Sequence, residues 1–81
     1  MSRYNLPISA SLALDNAVRS LKASDVNYEL AMYEFERAFI VWTLEHHRGN
    51  QCHAAAELGM HRNTIRRKCA ELLIDPKPWR I

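Results

Sequence analysis

The side chains with chemistry to offer gather in one short stretch. His61, Arg62, Asn63, Thr64, Arg66, Arg67 and Lys68 bring four permanent cations, an amide, a hydroxyl and an imidazole together. Donors outnumber acceptors in such a set, which suits phosphate oxygens and the acceptor-rich edges of purines. Catalysis would need a nucleophile, a base and a group to orient the base. Cys52 and His53 are chain neighbours, and on a helix they point about 100° apart, so they form no dyad. A glycine-rich phosphate loop is also missing from the sequence. The spacing of Cys52, His53, His61 and Cys69 repeats no common zinc pattern. Neither an enzyme nor a metal or other cofactor is expected.

The basic stretch needs a scaffold, and the residues before it describe one. In a helix-turn-helix the first helix carries small residues so that the second can cross close over it. Ala54-Ala55-Ala56 supply them. The turn needs a residue tolerant of positive φ four positions after the central alanine, where Gly59 stands. Leu58, Met60, Ile65 and Cys69 have the spacing to lock the two helices together. The second helix then turns its polar face and N-terminal end outward, where base edges are reached. Asn50 is placed to cap the first of these helices, over 51–58, and the second is expected over about 61–73.

Upstream, two longer helices are expected. After Pro7, with Ser9 or Ser11 as cap, Ala10, Leu14, Ala17, Val18 and Leu21 form one apolar stripe. Ser24-Asp25 breaks the chain and caps a second helix, from about Val26 to His46. Tyr28, Met32, Phe35, Phe39 and Trp42 line one of its faces, and Leu30, Tyr33, Ile40 and Leu44 another. That arc is wider than one core contact requires, so a second copy of the chain is expected to cover part of it. Gly49 is the expected left-handed cap, and Asp75-Pro76-Lys77-Pro78 ends the last helix. Trp79 is expected to fold back as a lid on the helix-turn-helix. His46 and His47 are expected to act as cations at the negative end of the helix dipole.

Length and charge fit this division. Eighty-one residues with 48% apolar and 25% charged side chains make one small all-α domain, with a core that one copy alone fills poorly. The net charge of +2 is uninformative until it is divided. Residues 1–47 hold four basic and six acidic side chains, a net of −2; residues 48–81 hold seven and three, a net of +4. Such asymmetry points to a polyanion for the second half. No apolar run approaches the roughly 18 residues of a membrane span, and two cysteines make no disulfide framework. A cytoplasmic protein with reduced thiols and no membrane partner is expected.

The segments Gly49-Asn50-Gln51, Ala54-Ala55, Leu58-Gly59-Met60 and Arg62-Asn63-Thr64-Ile65-Arg66-Arg67-Lys68 resemble the C-terminal DNA-binding module of the Fis family. That family includes the nucleoid protein Fis and the DNA-binding domains of NtrC-type activators. The resemblance covers about residues 36–74. It implies four helices, the first two intertwined in a homodimer core and the last two a helix-turn-helix that enters adjacent major grooves and bends DNA. It implies base contacts from Arg62 and Arg66, with His61 and Asn63 tuning preference, and phosphate contacts from Asn50, Gln51, Cys52, Thr64, Arg67 and Lys68. The implied dimer surface comprises Leu14, Val18, Leu21, Met32, Phe35, Phe39, Ile40 and Trp42. Cys52 stands where a hydroxyl residue is common in Fis. The N-terminal segment is expected to be too short and wrongly composed for the β-hairpin arms through which Fis activates a recombinase, and that activity is not carried over.

The expected organisation is therefore a dimerisation segment over 1–47, a DNA-binding module over 48–74 and a tail over 75–81. The expected function is that of a bacterial, nucleoid-located transcription regulator or architectural protein, with double-stranded DNA, a second copy and RNA polymerase or a regulatory protein as partners. The alternative is a protein-interaction adaptor that works through the dimer helices or the Trp79 tail.

Overall fold

The computed structural model describes residues 5–75 and 77–79. It contains four α-helices: α1 (Ile8–Ala23), α2 (Tyr28–His46), α3 (Gln51–Leu58) and α4 (Arg62–Glu71). A single turn of 3₁₀-helix occurs at Lys77–Trp79. No strand occurs among the described residues, so the chain is all-α as expected. None of the helices is long and apolar enough to cross a membrane. The chain divides into two compact units, residues 1–31 and residues 32–81.

Helix starts obey local chemistry. The carbonyl of Pro7 accepts from Ser11 N–H at 3.0 Å, and no side chain caps α1; Ser9 and Ser11 lie inside the helix. The cap of α2 is Asn27, whose Oδ1 accepts from Leu30 N–H at 2.9 Å. Ser24-Asp25 therefore breaks the chain without capping α2. At α3 the expected cap is present, with Asn50 Oδ1 accepting from His53 N–H at 3.0 Å.

All four helices end alike. A residue in left-handed conformation donates its N–H three residues back, and the next residue donates five back. The pairs are Asp25 to Lys22 and Val26 to Leu21, Arg48 to Glu45 and Gly49 to Leu44, Gly59 to Ala56 and Met60 to Ala55, and Leu73 to Ala70 and Ile74 to Cys69. Only one of the four left-handed closing residues, Gly59, is a glycine (φ 70°). The residue that closes α2 is Arg48 (φ 52°), with Gly49 after it at φ 82°. Gly49 is required for a second reason: a Cβ there would collide with the side chain of Trp79.

A left-handed conformation costs an ordinary residue about 1–2 kcal/mol. Leu73, with φ 55° and 76% of its surface exposed, carries that cost with little packing in return. Leu73→Gly should therefore raise stability by about 1 kcal/mol, or about 4–8 °C in Tm for a domain of this size. A thermal melt monitored by circular dichroism at 222 nm checks it.

In the first unit, α1 has no buried residue, and Leu12, Leu14 and Val18 remain 42–58% exposed. In the second, Ile40 and Leu44 of α2 meet Ala54 and Ala55 of α3, Ile65 and Cys69 of α4, then Leu72 and Ile74. Ala54 and Ile65 are fully buried, the small residue admitting the branched one. Trp79 packs against this cluster, as the lid reading expected. Burial pushes the Cys69 thiol upward by desolvation, whereas Cys52 is exposed. A thiol reagent at neutral pH should therefore label Cys52 and spare Cys69 in the native chain, which mass spectrometry of the peptides would show. Equal labelling of both would contradict the packing.

Candidate nucleic-acid interface

The outward face of α4 is set by its inward one. Ile65 and Cys69 are buried, so Arg62, Asn63, Arg66 and Arg67 turn to solvent, and all four are exposed. No carboxylate pairs with Arg62 or Arg66 among the described residues. Arg67 Nε lies 3.6 Å from Glu71 Oε1, a loose pair between exposed side chains four residues apart. Thr64 is half-buried at the edge of this face.

The helix before it presents an end. Asn50 occupies the N–H of His53 with its side chain and that of Ala54 with its carbonyl. The N–H groups of Gln51 and Cys52 are left as the open donors of α3, at the positive end of its dipole. Asn50 and Cys52 are exposed, and Gln51 is half-buried. At the start of α4 the cap is a ring nitrogen, His61 Nδ1, which accepts from Asn63 N–H at 3.0 Å. Two helix N-termini and an arginine-rich helix face therefore belong to one packed pair, α3 and α4. Phosphates suit the first feature and base edges the second.

Sequence reasoning missed how α2 holds α4. Lys68 turns from the outward face, and its Nζ lies 2.6 Å from Glu36 Oε2. One residue on, Arg37 Nε donates to the carbonyl of Leu72 at 3.0 Å, and Nη2 donates to that of Leu73 at 3.4 Å. A guanidinium thus satisfies carbonyls left over at the C-terminal end of α4, where the helix dipole favours a cation. The readable signal was Glu36-Arg37 itself, a charged pair interrupting an otherwise apolar arc. His47 Nε2 sits 2.9 Å from Glu57 Oε1, linking the end of α2 to α3. His46 instead stacks on Trp42 with ring centroids 3.7 Å apart. Each histidine has its own partner, beyond the shared helix-end role expected of them.

The residues expected at a dimer surface separate into two groups. Met32, Phe35, Phe39 and Trp42 remain 44–55% exposed along one side of α2. The rings of Phe35 and Phe39 are 6.0 Å apart and tilted. Beside them an open groove of about 540 Å³ runs between α2 and the Leu58–Met60 turn. Leu14 and Val18 are exposed as well, and Leu21 is half-buried. Ile40 is the exception. It is 2% exposed inside the core of its own chain, so it offers no surface to a second copy. The helical period places Ile40 one step from Phe39, and about 100° of rotation is enough to turn it onto α3 and α4.

Comparison with known proteins places this arrangement. The family described as bacterial regulatory protein, Fis family, matches residues 31–72. The DNA-binding protein Fis of Pasteurella multocida (strain Pm70) is 40% identical over 68 residues, 79% of this chain and 69% of that protein. A Fis-like DNA-binding protein of Xylella fastidiosa (strain 9a5c) is 45% identical over 56 residues, 67% of this chain and 62% of its own. DNA-binding protein Fis of Klebsiella pneumoniae is 39% identical over 62 residues, 74% of this chain and 67% of its own. The chain thus spans about two-thirds of the length of these relatives. No solved structure matches it. The matched residues run from the end of the first unit through α2, α3 and α4, and the chain belongs to the Fis family of bacterial regulatory proteins.

Proposed function

We propose that this chain binds double-stranded DNA as a homodimer, with α4 in the major groove, and acts as a transcription regulator or an architectural protein of the nucleoid. The observation that carries the reading is the face of α4. Arg62 and Arg66 stand exposed with no carboxylate partner among the described residues, on a helix held from behind by Ile65, Cys69 and Arg37. Relatives that bear the name DNA-binding protein Fis support the same reading. Arg62 and Arg66 read bases, with His61 and Asn63 beside them. Asn50, Gln51, Cys52, Thr64 and Arg67 meet phosphates, and Lys68 joins them to the extent that Glu36 releases it.

The dimer part of the proposal rests on the exposed stripe of Met32, Phe35, Phe39 and Trp42, too much aromatic surface for one copy to leave in water. Two copies carry +8 on residues 48–81, a field that draws the pair toward the phosphate backbone before any base is read. If two α4 helices sit closer than one helical turn of DNA, about 34 Å, the duplex must bend to accept both. Preference then depends on deformability as well as on base contacts. RNA polymerase or another regulatory protein is the further partner proposed for a DNA-bound dimer.

Titration of labelled duplex across a range of salt concentrations tests the proposal. The logarithm of the binding constant should fall linearly with that of salt, by about 0.9 for each phosphate neutralised. Arg67→Ala should reduce that slope by about 0.9 and weaken all sequences alike. Lys68→Ala should reduce it by less, because Glu36 already neutralises that cation in the free chain. Absent or salt-independent duplex binding would favour the adaptor reading, in which the stripe on α2 is the working surface.

A further inference from the structure

The imidazole of His61 has two edges, and the start of α4 claims one. A backbone N–H can only donate, so Nδ1, 3.0 Å from the nitrogen of Asn63, must be the unprotonated, accepting nitrogen. The neutral ring then carries its proton on Nε2, on the edge turned away from the helix. His61 is exposed, and the bond to Asn63 is the only one its ring makes among the described residues. As a cap alone the ring is a poor choice, because asparagine, aspartate and serine serve that position best. The second edge is what those side chains lack or offer differently.

The geometry points to His61 as a specificity-determining residue: its capping bond locks the ring in the Nε2–H tautomer, so that it offers the base pair beside Arg62 a donor and never an acceptor. This rests on the reading that α4 enters a major groove. There guanine shows O6 and N7, thymine O4 and adenine N7 as acceptors, while cytosine N4 and adenine N6 are donors. A ring free to exchange tautomers could satisfy either kind. The locked ring favours guanine or thymine at the edge it meets and opposes cytosine, whose amino group would face another donor. The bond that starts the recognition helix thereby also decides what the helix can read.

Three substitutions separate the two edges, because each keeps a good cap. The full-length chain and its variants are used to enrich binders from a pool of randomised duplexes, and each variant's thermal midpoint is recorded. His61→Ser caps but has nothing to extend. It should melt like the parent and lose preference at one base pair beside that read by Arg62, by about two- to tenfold, with other positions intact. His61→Asn caps through Oδ1 and keeps an outward NH₂ donor, so it should retain the parent preference. His61→Asp caps and leaves only an acceptor outward, so the preference should turn to cytosine or adenine.

Two results overturn the proposal while leaving DNA reading intact. One is a parent-like profile for His61→Ser alongside an altered profile for Arg62→Ala. The other is a lowered midpoint with every position flattened together, which would make His61 a cap and nothing more. If the parent enriches no sequence, or neither Arg62→Ala nor Arg66→Ala changes the enriched profile, the placement of α4 in the groove fails and this inference fails with it.

Discussion

Ile40→Asp should leave residues 32–81 unfolded, while Phe39→Glu, one position away, should leave them folded and separate two chains. Ile40 is 2% exposed between Leu44 and the α3–α4 pair. A carboxylate there replaces an apolar burial of about 1.5–3 kcal/mol and sets a charge among the apolar side chains of the cluster, at a cost of about 3–5 kcal/mol more. A core in a chain this short supplies only about 3–5 kcal/mol in all. The substitution exceeds the whole stability of the unit, and its helical circular dichroism should be lost at 25 °C. Phe39 is 54% exposed and lines the open groove, so a glutamate there stays in water in a single chain. Buried between two copies it would be an unpaired charge, and sedimentation at micromolar concentration should give the mass of one chain with the cooperative melt retained. Loss of the melt in Phe39→Glu would mean that the unit cannot fold without its partner, as in an obligate homodimer.

Arg62→Ala should erase preference for one guanine while sparing most of the affinity for arbitrary duplex. Arg62 is the first residue of α4, exposed and free of any carboxylate among the described residues. Its planar guanidinium can meet guanine O6 and N7 together, worth about 1–3 kcal/mol against a wrong base, or about five- to more than a hundredfold. The quantity to measure is the ratio of specific to non-specific binding constants at one salt concentration. That ratio should collapse in Arg62→Ala and survive in Arg67→Ala, whose charge is proposed to meet the phosphate backbone. Equal losses in both variants would make Arg62 another phosphate contact. Sequence reading by α4 would then depend on Arg66 and on the shape of the duplex.

Much of the candidate interface could be read from residue spacing. Ala54-Ala55, Gly59, Ile65 and Cys69 stand at separations that only a close crossing of two short helices satisfies, and the folded chain uses each of them so. The cap by Asn50 was legible because it depends on four consecutive residues and nothing distant. Once Ile65 and Cys69 face inward, the outward set of Arg62, Asn63, Arg66 and Arg67 is fixed by the helical period alone. Local rules with a fixed period are the information a chain carries in plain view.

Features that depend on distant parts of the chain were not legible. Residues 40 and 39 are both apolar, and the broad arc of α2 lets either face the core. Only the position of α3 and α4 decides that Ile40 is buried and Phe39 exposed. Lys68 reads as one more cation in a basic run, yet Glu36, 32 positions earlier, draws it to α2. Arg37 reads as a surface charge, yet it satisfies the carbonyls at the end of α4. The left-handed residues Asp25, Arg48 and Leu73 carry no glycine to announce them, because the paired bonds at each helix end outweigh a cost of about 1–2 kcal/mol. Gly49 stands out in the sequence for its conformational freedom, and only the folded chain shows that Trp79 also needs its missing side chain. The sequence by itself determined the helices, the crossing and the arginine face, since these arise from short periods and local caps. The tertiary structure alone decided which charges stay free for a partner and which apolar face stays open, because both depend on contacts between residues far apart in the chain.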